Sequence, residues 1–302
     1  MASADDHHVA GEPTAALTTG ARAQCEHARV SGRPPDFGEF SAVDRGDPGA
    51  LRDYLDAVAA DEAVARWKEL SFDLMEPRPG AVLVDVGCGP GDDARALAAR
   101  VAPGGRVIGI DASRSMIAEA RSRSATGDVE FVVADAAALP LGDAEADGCR
   151  CERVLQHVDD PAAAVAEMAR IVRPGGVVLA AEPDWGTLVV DGGDARTGAA
   201  VASAAMSRVR SPAVGRSLRR LFLAAGLAEV ELLARTLVLT DGARAEILLG
   251  LRDSADRAVA GGLDADSAQA WVAAIDAADA EGCFTVAITS FLAHGRVDGS
   301  TS

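Results

Sequence analysis

No apolar run in this chain approaches the roughly 20 residues that a membrane span needs, and its first thirty residues hold no basic leader followed by a hydrophobic segment. Neither a membrane helix nor a secretory signal is expected, which points to a cytoplasmic protein. Basic residues are scarce: 29 Lys and Arg stand against 46 Asp and Glu, for a formal net charge of −17. Nucleic acids and anionic membranes recruit proteins through basic patches, so neither is expected as a partner. A local basic cluster, five arginines from Arg208 to Arg220, reads as a solvated helix face. Cysteine is sparse as well. The five residues at 25, 88, 149, 151 and 283 form no C-x-x-C pair and no histidine stands at ligand spacing, so no metal site is expected. Cys149 and Cys151 share one face of a strand and read as buried, reduced thiols. Aromatic residues amount to 4%, with Tyr54 the single tyrosine, and no internal repeat is evident.

Apolar residues make up 49% of the 302 positions, enough for one sizeable core with a cap and short of two large independent domains. Residues 1–45, rich in Ala, Gly, Ser and Thr, read as a mobile tail that carries His7 and His8. Within 46–78, Leu51, Tyr54, Leu55, Val58, Val64 and Trp67 recur every three to four residues, the period of helices that lay one face on a core. Residues 79–297 supply that core, and 298–302 a second tail.

Residues 82–91, Val-Leu-Val-Asp-Val-Gly-Cys-Gly-Pro-Gly, are a buried strand breaking into a glycine loop, with a helical run at 93–101 directly after it. Glycines at 87, 89 and 91 let the backbone turn sharply and let a ligand approach without Cβ interference. The dinucleotide fingerprint G-x-G-x-x-G does not fit, because its third glycine falls where Asp92 stands. Asp92 and Asp93 suit the helix dipole but would repel a pyrophosphate, so a cationic or zwitterionic head is the better match. Cys88, between two glycines, reads as packing.

Two further apolar runs, 106–110 and 129–134, close on Asp111 and Asp135, with helical stretches at 93–101 and 113–123 between the strands. Right-handed crossovers make such strands parallel and bring their carboxyl ends to one edge. Asp85, Asp111 and Asp135 are therefore expected along that edge. A carboxylate at the second tip can accept both hydroxyls of a ribose, and one at the third can reach an adenine amino group. Later in the chain, helical patterns at 195–209, 214–225 and 265–281 alternate with strand-like runs at 228–239 and 284–292.

By these motifs the chain resembles the class I S-adenosylmethionine-dependent methyltransferases. The resemblance rests on V-D-V-G-C-G-P-G at 84–91, G-I-D-A-S-R-S-M at 109–116 and V-V-A-D-A at 132–136. It is extended by R-V-L-Q-H-V at 153–158 and I-V-R-P-G-G at 171–176. It implies an α/β fold: a doubly wound, Rossmann-like, seven-stranded and mostly parallel sheet with helices on both faces, plus an N-terminal helical cap. The span 79–297 becomes a methyltransferase core with substrate-covering insertions. The cofactor implied is S-adenosyl-L-methionine. Asp85 and the loop at Gly87, Gly89 and Gly91 would hold its methionyl part. Asp111 would take the ribose, with Ala112 and Met116 along the adenine, Asp135 and Ala136 at the adenine edge, and Arg153 also in the cofactor set.

Displacement at a sulfonium methyl needs chiefly an in-line nucleophile and exclusion of water. A base is required only where the nucleophile must lose a proton, and His157 is the first candidate, followed by the carboxylates Glu182 and Asp184. His294 reads as structural. Residues 182–187, Glu-Pro-Asp-Trp-Gly-Thr, read as a polar and aromatic loop facing the acceptor, and Trp185 with the cap suggests a bulky, largely apolar small molecule. The expectation is a small-molecule methyltransferase of secondary metabolism, its oligomeric state open and a homodimer among the arrangements allowed. The alternative is an enzyme of the same fold that keeps the cofactor as a structural ligand and catalyses a cyclisation or another non-methylating reaction.

Overall fold

The computed structural model describes residues 48–124 and 129–299. The tail read at 1–45, with His7, His8 and Cys25, lies outside them, as do residues 300–302. Strands β1 (Val82–Val86), β2 (Arg106–Asp111), β3 (Val129–Val133) and β4 (Ala146–Glu152) run parallel with one another and with the first part of β5 (Val172–Asp191). Strands β6 (Leu227–Leu239) and β7 (Thr285–Val297) complete the sheet, β7 lying antiparallel between β5 and β6. The order is β3-β2-β1-β4-β5-β7-β6, the doubly wound and mostly parallel sheet expected.

Strand periodicity divides the core. Leu83 of β1 packs with Leu97 of α3 (Asp92–Val101) in one apolar cluster, while Val84 and Val86 join Met168 of α5 (Pro161–Ile171) and Phe222 of α7 (Val214–Ala224) on the other face. Successive side chains point to opposite faces and both faces are covered, so β1 reads as an apolar run interrupted only by Asp85. Helix starts follow local chemistry. The Ser113 hydroxyl accepts the Met116 N–H at 3.1 Å to cap α4 (Arg114–Arg123). Asp160 caps α5, whose first residue is Pro161.

The N-terminal region forms two helices, α1 (Pro48–Ala59) and α2 (Glu62–Leu74), separated where Asp61 caps the second. Ion pairs fasten them to the core: Asp56 to Arg123 at 2.8 Å, Lys68 to Asp93 at 2.8 Å, and Asp61 to Arg244. Helix α1 packs into a third apolar cluster built from α6 (Ala195–Met206), α8 (Gly242–Leu249), α9 (Leu251–Ala260) and α10 (Ala265–Ala280).

Two expectations change. Residues 182–187 are not a loop: β5 continues to Asp191, because β7 pairs with it on both sides of an irregularity between Asp184 and Val189. The arginines from 208 to 220 are not a uniformly solvated face either. Arg208 is 1% exposed, and its Nη1 donates to the carbonyls of Leu249 at 2.7 Å and Gly250 at 3.2 Å, binding α6 to the α8–α9 junction. Arg216 pairs with the buried Asp184, and Arg210 with Asp159. Replacing Arg208 by Met strips the buried carbonyls and Asp253 of a cationic partner, which should lower unfolding free energy by roughly 3–5 kcal/mol in urea denaturation.

Candidate active site

A cavity of about 230 Å³ opens at the carboxyl edge of the parallel strands, between the glycine loop after β1 and the cap helices. The loop turns through left-handed backbone at Gly87, Gly89 and Gly91, with φ of 70°, 50° and 82°. Side-chain-bearing residues adopt such angles at a cost. A Cβ at Gly91 would also stand 2.7 Å from the Phe131 ring, so this glycine serves the packing of the helix start. The loop is clasped from β2: Gly87 and Cys88 donate to the Ile110 carbonyl at 2.7 and 3.0 Å, and Gly89 donates to Asp111 Oδ2 at 2.9 Å. Asp111 Oδ1 accepts the Ser113 N–H at 2.8 Å, which fixes the carboxylate against both the loop and the start of α4.

Of the residues expected to hold the cofactor, Gly87, Gly89, Asp111, Met116 and Arg153 line this cavity. Asp85, Gly91, Ala112, Asp135 and Ala136 do not stand in its wall. Asp85 faces Arg150, its register neighbour on β4, at 3.1 Å. Ala112 is exposed. Asp135 is exposed and folds back to accept the Ala137 N–H at 2.8 Å, while Ala136 packs against the apolar cluster below.

Charge at the loop differs from the expectation of a negative mouth. Arg150, fully buried over the Phe72 ring, contacts Asp85, Asp93 and Glu152 at 3.1, 2.9 and 2.6 Å. Asp93 also takes Lys68, and Asp92 pairs with Arg95 and, at 3.7 Å, with Arg123. Burial pushes the Asp93 carboxyl up, but Arg150 and Lys68 outweigh it and hold it near 2. Burial dominates at Asp85 and pushes it up to about 7. The acid pair at the start of α3 is thus neutralised by partners on other elements.

The opposite side of the cavity is built from the turn after β4, β5 and the cap. Arg153 sits at φ 56°, an uncommon angle for a side-chain-bearing residue, with its N–H donating to Ala181 at 2.9 Å. Its guanidinium meets the Tyr54 hydroxyl. Gln156 accepts the Trp185 Nε1–H at 2.7 Å, which locks the indole into the wall. Glu182 is 1% exposed; its Oε1 accepts the N–H groups of Val154 and Leu155 at 2.8 and 2.7 Å. Its Oε2 makes no hydrogen bond, and the residue lines the cavity. Burial pushes this carboxyl up to about 8, against the downward pull of the backbone N–H groups. His157 lines the same wall, and burial, then Arg153 and Arg210, press it down to about 3. At neutral pH Glu182 therefore carries a proton and His157 does not. Asp184 is engaged by Arg216, and His294 approaches Glu231 at 3.5 Å away from the cavity. Tyr54 and Trp67, read chiefly as packing, both line it.

Sequence reasoning did not single out Lys68, Glu152, Gln156 or Arg235, which also line the cavity. One signal was available: Lys68 is the only lysine in the chain. Among the described residues no cluster of His, Cys, Asp and Glu could hold a metal, and no helix is long and apolar enough to cross a membrane.

Comparison with known proteins agrees with the sheet order and the loop. A methyltransferase domain family matches residues 84–180. An uncharacterized 37.1 kDa protein in transposon TN4556 of Streptomyces fradiae is 40% identical over 242 residues, 79% of this chain and 69% of that protein. The 2-phytyl-1,4-naphtoquinone methyltransferase of Thermosynechococcus vestitus is 38% identical over 111 residues, 36% of this chain and 49% of that protein. A demethylmenaquinone methyltransferase of Bacillus cytotoxicus is 32% identical over 140 residues, 45% of this chain and 59% of that protein. The aligned part thus spans about half to three fifths of the quinone methyltransferases it matches. In fold, the chain is similar to the YcgJ protein from Bacillus subtilis, with a TM-score of 0.54 at 18% identity over 78% of this chain and all of that one. Residues 84–180 of this chain are a methyltransferase domain of the matched family, set in a sheet of the methyltransferase fold.

Glu182 gives this site a pH signature. A carboxyl raised from 4.5 to about 8 in the folded state adds stability that is complete below 4.5 and is lost as pH rises through 8. Urea unfolding of wild type and Glu182→Gln should therefore diverge with rising pH. The wild type should lose ground to the variant by about 1.4 kcal/mol per pH unit inside that window.

Proposed function

We propose that this protein is a cytoplasmic enzyme that transfers the methyl group of S-adenosylmethionine to a bulky, largely apolar small molecule, in the manner of secondary-metabolite methyltransferases. The observation that carries the reading is the clasp between Asp111 and the Gly87–Gly91 loop at the mouth of a cavity that is polar near the loop and lined by aliphatic and aromatic groups of the cap opposite it. The fit is supported by Gly89, where an added Cβ would meet only Leu55 at 3.7 Å, and by a buried, unpartnered carboxyl oxygen on Glu182. When bound, the cofactor supplies a methyl group activated by its sulfonium.

Asp111 would hold the ribose hydroxyls, Met116 the adenine face, and the loop at Gly87 and Gly89 the methionyl part. Arg153 and Tyr54 would close the site above it. Trp67, Trp185, Leu237, Leu248 and Ile288 offer an acceptor apolar surface that excludes water. Water exclusion and in-line placement supply most of the acceleration in such a displacement. Glu182, with one oxygen anchored and the other directed into the cavity wall, would orient an acceptor oxygen or nitrogen. At neutral pH the protonated Glu182 would donate that hydrogen bond, and the neutral His157 is the group placed to take a proton from an acceptor that must lose one. The net charge of −17 speaks for a small neutral or apolar acceptor over nucleic acid. Two of the relatives it resembles are named as methyltransferases of 2-phytyl-1,4-naphtoquinone and of demethylmenaquinone, which supports a small-molecule acceptor.

Calorimetry should show S-adenosylhomocysteine binding to the wild type and roughly 10- to 100-fold weaker binding to Asp111→Ala, the worth of charged hydrogen bonds. His157→Ala should keep that affinity and lower turnover by roughly 100-fold or more where the acceptor is deprotonated, whereas Glu182→Gln should depart from wild type chiefly as pH rises through about 8. Incubation of candidate acceptors with methyl-labelled cofactor should place label in product. Conversion without label would replace transfer by a rearrangement that leaves the cofactor intact, and absence of S-adenosylhomocysteine binding would overturn the reading.

A further inference from the structure

Lys68 is the chain's only lysine, and it stands in the cavity wall with a side chain 17% exposed. It projects from α2 onto the glycine loop's helix, placing Nζ 2.8 and 3.0 Å from the two carboxylate oxygens of Asp93. An ammonium carries three donors. Asp93 occupies at most two of them, and Asp93 is itself supplied from below by Arg150 Nη1 at 2.9 Å. Lys68 can therefore share its charge with a ligand without leaving Asp93 unpaired.

The surroundings select the sign of that ligand group. The wall nearest the loop carries Asp92, Asp93, Asp111 and Glu152. A carboxylate entering there meets few cations. Arg153 is turned to the Tyr54 hydroxyl on α1, and Arg235 donates to the Ala63 carbonyl at 2.7 Å. Arg150, Arg95 and Arg123 also pair with the first turn of α3, but of these cations Lys68 is the one that lines the cavity.

We propose that Lys68 pairs with the carboxylate at the amino-acid end of the cofactor and so couples cofactor binding to the seating of α2 over the site. This rests on the cofactor reading above and adds to it a ligand group and a residue. Methyl transfer itself is untouched by the assignment; what Lys68 governs is retention of the amino-acid end and registry of the cap.

The test compares two ligands. S-adenosylhomocysteine has the amino-acid end; 5′-methylthioadenosine keeps the adenosine and thioether and lacks it. In calorimetry, Lys68→Met should weaken S-adenosylhomocysteine roughly 10- to 100-fold and leave 5′-methylthioadenosine within about twofold, while Lys68→Arg restores most of the loss. Equal losses for both ligands would overturn the assignment. A second readout needs no variant: wild-type protein labelled with ε-¹³C-lysine gives one lysine side-chain signal, which should shift with S-adenosylhomocysteine and stay in place with 5′-methylthioadenosine. A signal unmoved by S-adenosylhomocysteine would also overturn it. Failure of both ligands to bind the wild type would instead bring down the cofactor reading beneath it.

Discussion

A guanidinium sealed inside a sheet is costly, and Arg150 is fully buried. Taking a charge of that size out of water costs several kcal/mol even after relaxation, and the cost is offset only when partners and geometry are complete. Here carboxylates meet its two terminal nitrogens from three directions, Asp85 beside it on β1, Glu152 two residues on along β4, and Asp93 from the first turn of α3, while Nε is left without a hydrogen bond. The Phe72 ring of α2 lies against it at 5.0 Å. Since each partner belongs to a different element, satisfying the one cation fixes β1 against β4, sets the roll of α3, and through Asp93 and Lys68 reaches the cap. The ligand cavity stands on this ionic floor.

That floor explains the division of labour in the site. Polar groups gather low, where the loop and Asp111 are held by backbone hydrogen bonds. Aliphatic and aromatic groups from α1, α2, α8 and the far halves of β6 and β7 form the roof. A ligand with a charged end and an apolar end finds both environments across one opening. In the proposed reading the loop half would recognise the cofactor, and the half built on α1, α2 and α8 would meet the acceptor. Arg208 matters in the second half only, because it holds the inserted helices to each other.

What could be read in the chain beforehand was whatever local pattern dictates. The glycine loop, the acidic strand tips and the alternation of strand with helix are consequences of neighbours in sequence, and they appear where expected. Asp85 shows the limit: it looked like a ligand residue, but its partner Arg150 lies 65 positions away and becomes adjacent only through strand register. Asp92 and Asp93 likewise appeared as free charge because Lys68, Arg123 and Arg150 reach them from other elements. The continuation of β5 was hidden by Pro183, Asp184 and Gly186, residues that locally favour a turn. Pairing with β7 overrides them. Helices α8 and α9 escaped notice because each is short and Gly250, at φ 60°, breaks the pattern between them.

The placement of β7 has a consequence for synthesis on the ribosome. The strand that joins β5 to β6 is the last of the seven to be made. Until it emerges, two long strands wait with bare edges, and such edges invite pairing with other nascent chains. The first half of the sheet can assemble early, as its neighbours are already present. The half beyond β5 must wait, so a ribosome stalled before position 285 would carry a chain whose glycine-loop half is shaped and whose opposite half is open.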